Sequence, residues 1–297
     1  GTEGIGLINT IYAAAIVFSP FLQFGFSVSL VKYFPVFKNR EHIATLLSYS
    51  IVLPTLIYLL FFCLWPFTYE LYAILFEEKA TLIYDNLFWV LPLSGVLMYV
   101  TIFETFAKIN FKIFIPGLIR NVIWRLIVTL IVLLIGFGFI ALENVIPFYV
   151  FSWFIVLALI SFYAIWQGKL KFGWEKSFFR VPEFKKMHSF SGFVMFLSMS
   201  GILIQKIDQL MVASFLGEST AGVFSLTMYF ATLIEIPKRS VMSIIQPILS
   251  YSFKKDDMTQ IKSIYQKSSL NLFLIGGLIF VLIWINIQDI FALIPNG

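Results

Sequence analysis

Six basic residues lie inside long apolar stretches of the sequence, where a charge is difficult to keep. They are Lys32, Arg120, Arg125, Lys206, Lys238 and Arg239. If these stretches cross a bilayer, each cation costs about 2.5–3.5 kcal/mol at the centre of its helix, so it needs a counter-ion, a water-filled cavity or a nearby interface. The arginines suit recognition of a phosphate-like anion, because a guanidinium binds two oxygens at once.

Lys238 and Arg239 form the strongest candidate site. They follow Pro237, and Glu235 lies three and four positions earlier, so the group either neutralises itself or binds an anionic ligand. Pro237 favours a cavity, since a proline frees a carbonyl in the preceding turn and bends the helix.

Two further sets of charges complete the candidate residues. Arg125 is predicted to line a cavity, whereas Arg120, nearer the start of its helix, could instead extend to the interface, and Glu104 is expected to pair with Lys108, four residues on. Asp208 and Lys206 are two residues apart and point to different faces. Asp208 is therefore either a proton or sodium coupling site or a member of a static polar network with Lys206.

The elements that must position these residues are membrane-spanning helices. The sequence is 60% apolar and 12% charged, too apolar for a water-soluble fold of 297 residues. A span needs roughly 20 apolar residues, and we identify about eight. They cover residues 5–34, 43–67, 81–107, 115–140, 145–167, 189–214, 220–250 and 268–295. The runs lack the alternation of barrel strands, so the predicted class is an all-α polytopic membrane protein.

The positive charges outside the spans predict the orientation. Of 21 basic residues, 14 lie in four alternate connections, at 35–42, 108–114, 168–188 and 253–267. This pattern predicts that these loops are cytoplasmic and that residue 1 faces outward, and it argues against a nucleic-acid partner. The single cysteine, Cys63, is predicted to be a small buried apolar residue and excludes a disulfide framework within the chain.

The longest connection, residues 168–188, is predicted to join two helical bundles at 1–167 and 189–297. Its Trp174, Phe178 and Phe179 either lie on the anionic leaflet or belong to a solvated loop.

A weak internal repeat supports two parallel halves. With an offset of 216 residues, Gly6 matches Gly222 and Ser27 matches Ser243. Leu22 and Gln23 then match Lys238 and Arg239, and Gln23 joins the binding candidates. The repeat predicts two six-helix halves, twelve or more spans, with helices beyond both ends of this chain.

Two stretches resemble bacterial polysaccharide flippases. Residues 207–250 resemble the seventh and eighth helices of that family, and residues 4–35 resemble its second helix. The matching features are the intramembrane Asp208, the FLG turn at 215–217, the AGVFSL start at Ala221, Pro247, Gly25 and the YFP ending at Pro35. The family belongs to the superfamily of multidrug and toxin extrusion (MATE) antiporters.

This resemblance implies a transporter, not an enzyme, that flips a polyprenyl-diphosphate-linked oligosaccharide, a precursor of O-antigen (lipopolysaccharide) or exopolysaccharide, to the outer leaflet of a bacterial inner membrane. The implied partners are this lipid-linked sugar, the bilayer, H⁺ or Na⁺ and polysaccharide-assembly proteins. The alternative on the same scaffold is an ion-coupled multidrug antiporter. The excess of intramembrane cations favours the anionic substrate.

An integral membrane polymerase is less favoured because the outer loops are short. We expect no cofactor and no metal, since His42 and His188 lack metal-ligand spacing and no phosphate-binding glycine loop occurs.

Overall fold

Helices form wherever the sequence has a long apolar run. The computed structural model describes residues 2–38, 42–76, 80–139, 141, 144–167, 172–254 and 257–292. Its helices are α1 (Thr2–Leu22), α2 (Phe26–Lys38), α3 (Ile43–Phe76), α4 (Thr81–Asp85), α5 (Val90–Ile109), α6 (Phe114–Leu118), α7 (Trp124–Gly136), α8 (Val145–Trp166), α9 (Pro182–Lys254), α10 (Met258–Ile285) and α11 (Ile287–Ala292). All regular structure in these residues is helical, which confirms the all-α class.

Seven helical stretches of the described residues are long and apolar enough to cross a membrane. They are Thr2–Phe37, Ile43–Glu70, Leu87–Ile109, Phe114–Gly136, Val145–Trp166, Pro182–Lys238 and Met258–Ile285. This agrees with a multi-pass protein. The number is seven rather than eight because the predicted spans at 189–214 and 220–250 both lie in α9.

A glycine break divides α9. Gly217 has φ +86° and ψ 173°, a conformation that glycine adopts far more readily than other residues. The predicted FLG turn therefore coincides with this break. Pro237 stays within the helix, and Gly217 is where α9 leaves helical dihedral angles.

A second break separates α1 from α2. It lies inside the predicted span 5–34, which was expected to be one uninterrupted helix. Phe24 and Gly25 have φ values of +53° and +65°. A Cβ on Gly25 would collide with the Ser191 carbonyl oxygen and lie 2.8 Å from the Met195 nitrogen, so two backbones touch here. The Ser191 hydroxyl donates to Ser29 Oγ at 2.7 Å, and Ser29 donates to the Gly25 carbonyl at 3.2 Å.

The chain divides into two compact units. Among the described residues, the first comprises those of 3–221, and the second comprises those of 222–292 with Thr2. In the first unit, α5 packs against α2, α3 and α8, and buries most of its residues, whereas α7 buries none. The bundles predicted at 1–167 and 189–297 stay a prediction.

The described part of the predicted linker is folded onto α2 and α3. Gly173 N–H donates to Ser48 Oγ and Glu175 N–H donates to Thr45 Oγ1, both at 3.1 Å. Phe178 is fully buried, with its ring centroid 5.0 Å from that of Phe37. The prediction that Phe178 lies on the leaflet or in a solvated loop is wrong, because aromatic partners on neighbouring helices bury it.

Three other sequence-based expectations need correction. α3 runs to Phe76 rather than residue 67, and α10 begins at Met258 rather than 268. Asp257 caps α10 by accepting a hydrogen bond from Gln260 N–H at 2.9 Å. Lys262 and Lys267, which were predicted to lie in a connection, are therefore part of this helix. Cys63 is exposed, not buried.

The predicted orientation can be tested by thiol labelling, after replacement of Cys63 by alanine. Ser177 and Thr81 are both exposed, and they lie in connections predicted to be on opposite sides. In intact cells, Ser177→Cys should resist an impermeant thiol reagent and Thr81→Cys should react, while both should react after the membrane is permeabilised. The reverse pattern would invert the topology.

Candidate functional site

A charged cleft lies between the end of α5 and the start of the α6–α7 region. Between α6 and α7, residues Ile119–Ile123 form a π-helical turn that carries Arg120. Such turns insert an extra residue into a helix and are frequent at functional sites. Phe111, in the connection before α6, has a positive φ of +57°. The connection between α5 and α6 is thus short and tightly turned. It brings the end of α5 close to the π-helical turn.

The centre of the cleft is an ion pair between Glu104 and Arg120. Arg120 Nη1 donates to Glu104 Oε2 at 2.8 Å. Glu104 is 6% exposed, whereas the Arg120 side chain is 37% exposed. The carboxylate is therefore enclosed, and the guanidinium keeps part of its surface for another ligand.

The cleft has a volume of about 350 Å³. Its lining residues are Glu104, Lys108, Ile113, Pro116, Gly117, Arg120 and Asn121. Lys108 is exposed, and the Asn121 side chain donates to the Gly117 carbonyl at 2.9 Å. Two cations and one carboxylate give the lining a net positive charge, which suits an anion.

The structure corrects one prediction about these residues. Glu104 pairs with Arg120, and within the described residues no ion pair joins it to Lys108. Arg120 is bonded to this carboxylate and lines the cleft. Its predicted extension to the membrane interface stays a prediction. Sequence spacing favoured Lys108, four residues after Glu104. The actual partner, Arg120, lies sixteen residues after Glu104, beyond the connection between α5 and α6.

Two other binding candidates of the first unit lie outside the cleft lining. Arg125 is exposed, and the lining does not include it. Gln23 is only 5% exposed, and its Oε1 has no hydrogen-bond partner in the described structure. It lies at the break between α1 and α2. Their binding roles stay predictions.

The remaining binding candidates belong to the second unit. Lys238 and Glu235 are exposed on α9. The side chain of Arg239 lies outside the described residues. A shared cavity for these residues and those of the first unit therefore stays a prediction.

Lys206 and Asp208 have different environments, as their spacing predicts. Lys206 is half-buried, and its Nζ lies 5.7 Å from the ring centroid of Tyr12. Tyr12 stacks on Trp153, so the cation has an aromatic partner. Asp208 is exposed, while the adjacent Gln209 donates to Thr10 Oγ1 at 3.1 Å. Gln209 thus bonds to Thr10 on α1, and the coupling role of Asp208 stays a prediction.

Sequence reasoning missed two histidine contacts near the folded linker. His42 Nδ1 lies 3.1 Å from Glu175 Oε2, and His188 Nδ1 lies 3.1 Å from the Tyr49 hydroxyl. The partners are more than 130 residues apart, so no local pattern could reveal them. Among the described residues, no group of three or more His, Cys, Asp or Glu could hold a metal ion.

The apolar helices, the two helix breaks and the charged cleft define a multi-pass, all-helical membrane protein. The chain belongs to the polysaccharide biosynthesis protein family, whose model matches residues 1–253. This is the family of polysaccharide and lipid-linked oligosaccharide flippases in the MATE-like superfamily, so the resemblance is confirmed. Its members are generally transporters rather than enzymes. No match was found among curated proteins or solved structures.

Proposed function

We propose that this protein flips a polyprenyl-diphosphate-linked oligosaccharide from the cytoplasmic to the outer leaflet of a bacterial inner membrane, by alternating access. The observation that carries the proposal is the family match over residues 1–253. The cleft of the first unit adds a chemical reason, because its net positive lining suits the diphosphate of such a carrier.

Arg120 and Lys108 are the proposed diphosphate contacts. A guanidinium has five N–H donors, and the ion pair with Glu104 is a single bond at 2.8 Å. Lys108 adds an exposed ammonium at the same opening. The predicted orientation places this end of α5 on the cytoplasmic side, where the lipid-linked sugar would enter. Arg239, Lys238, Arg125, Gln23 and Glu235 are proposed to line the later path of the substrate.

Ion-coupled export of organic cations is the second candidate function. The observation that favours it is Asp208, an exposed carboxylate within an apolar helix. Intramembrane acids are frequent in proton and sodium relays and attract cationic ligands. The two functions can be distinguished by the sign of the charge on the preferred substrate.

A leaflet-exchange experiment tests the proposal. The purified protein is reconstituted into vesicles that contain a fluorescent polyprenyl-diphosphate oligosaccharide, and an impermeant quencher is added outside. Protein-free vesicles should keep the inner-leaflet signal, whereas vesicles with the protein should lose it. A fluorescent phosphatidylcholine serves as the control and should stay protected.

Two results would contradict the flippase proposal. One is equal exchange of the phosphatidylcholine, which indicates unselective lipid scrambling. The other is an unchanged oligosaccharide signal together with uptake of an organic cation under a pH or sodium gradient, which would support the antiporter instead.

A further inference from the structure

A groove with lysines at one end and phenylalanines at the other lies along the first turns of α9. Its volume is about 620 Å³. The lining residues are Pro182, Lys185, Lys186, Ser189, Phe190 and Phe193. Their spacing of three and four residues places them on one face of the helix. This groove and the Glu104–Arg120 cleft share no lining residue.

Two cations line the groove, and a third lies beside Phe190, one of its lining residues. Lys185 and Lys186 are exposed. The Nζ of Lys32, on α2, lies 3.7 Å from the ring centroid of Phe190. Glu183 does not line the groove, and it has a contact of its own. The polar end therefore suits an anionic group.

The other end of the groove is apolar and open. Phe193 is 67% exposed, and Phe196 and Leu197 continue the apolar surface along α9. From Lys186 to Phe193 the helix rises roughly 10 Å, since each residue adds about 1.5 Å. A ligand that fills this groove must carry its negative charge at one end and an apolar chain at the other.

We propose that this groove binds an anionic phospholipid of the cytoplasmic leaflet. The lipid phosphate lies among Lys32, Lys185 and Lys186, and an acyl chain lies against Phe193. The groove opens at the start of a helix long and apolar enough to span the bilayer, so a lipid can reach it laterally. The lipid is a bound component of the protein and not the cargo, so the inference does not depend on which substrate is flipped.

Native mass spectrometry of the whole protein in detergent micelles tests the inference, with phosphatidylglycerol as the anionic probe and phosphatidylcholine as the neutral one. The Lys185→Gln/Lys186→Gln variant should bind phosphatidylglycerol roughly 30-fold more weakly, because each lysine contributes about 1 kcal/mol to anionic lipid binding and 1.4 kcal/mol is tenfold. Binding of phosphatidylcholine should not change.

Matched controls distinguish a specific lipid-binding site from a general attraction between lysines and anionic lipids. Lys262 and Lys267 are exposed on α10, and their replacement by glutamine should leave phosphatidylglycerol binding intact. Phe193→Ser should weaken it, whereas Phe273→Ser, at a residue 76% exposed on α10, should not.

Three outcomes would overturn the proposal. They are an unchanged affinity in the Lys185/Lys186 variant, an equal loss in the Lys262/Lys267 control, and full displacement of the lipid by inorganic phosphate at matched concentration. The last would show that only the anion is recognised.

Discussion

Replacement of both charges of the cleft, in a Glu104→Gln/Arg120→Gln variant, should give a protein that accumulates in the membrane and transports poorly. Two amides can hydrogen-bond where the ion pair was, so the enclosed position of Glu104 stays satisfied. The loss of a charged contact to diphosphate is worth about 1.5–3 kcal/mol, or a 10- to 150-fold slower flip rate. The vesicle assay measures the rate, and immunoblotting measures accumulation.

The single variants show whether the effect is functional or structural. Arg120→Gln leaves a 6% exposed carboxylate without a cation, which costs about 3–5 kcal/mol, so this variant should accumulate least. Glu104→Gln leaves a guanidinium whose side chain is 37% exposed and can hydrate, so it should accumulate almost normally. Lys112→Gln, an exposed residue outside the cleft lining, is the matched control and should transport normally. If the double variant flips lipid at the wild-type rate, the Glu104–Arg120 pair only stabilises the structure and does not bind the substrate.

Removal of the Phe178 ring should release residues 172–181 from the helices that hold them. Phe178 is fully buried, and its ring lies 5.0 Å from Phe37 and 5.2 Å from Phe184. A buried Phe→Ala change costs about 3–5 kcal/mol, whereas the hydrogen bonds to Ser48 and Thr45 contribute about 0.5–1.5 kcal/mol each and the half-exposed Glu175–His42 contact less. Phe178→Ala should therefore be cleaved faster by trypsin after the exposed Lys176 and Arg180.

The control for this experiment lies in the same segment. Phe172 is 56% exposed, so Phe172→Ala should leave the cleavage rate unchanged. Phe178→Leu, which keeps most of the apolar volume, should be cleaved at an intermediate rate. Equal cleavage of Phe172→Ala and Phe178→Ala would mean that burial of Phe178 does not hold the segment.

The sequence predicts the helices well, because apolar length alone dictates a membrane span. Val145–Trp166 differs from its predicted range by a single residue, and the FLG turn coincides with the Gly217 break. The start of α10 was missed because Lys262 and Lys267 reduce hydropathy without opposing helix formation. The break at Phe24 and Gly25 was missed although Pro20, Gln23 and Gly25 lie there, because the run around them stays apolar enough to be taken as one continuous span.

Pairings between helices could not be predicted in the same way. Arg120 was recognisable as a candidate, because a cation in an apolar run needs a partner. The identity of that partner depends on the turn at residues 110–113 and on the π-helical turn, neither of which has a clear local signature. Likewise, the burial of Phe178 depends on residues of α2 and α3 more than 120 positions away.

The direct backbone contact at Gly25 has a mechanical consequence for the proposed alternating access. With no side chain between Gly25 and the backbone at Ser191 and Met195, α9 cannot approach the α1–α2 break any further. We expect α9 to tilt about that point, where the Ser191–Ser29 hydrogen bond also joins the two segments. For the proposed mechanism we expect this contact to act as a pivot, because a small rotation of α9 at residue 191 displaces residues several helical turns away by a larger distance.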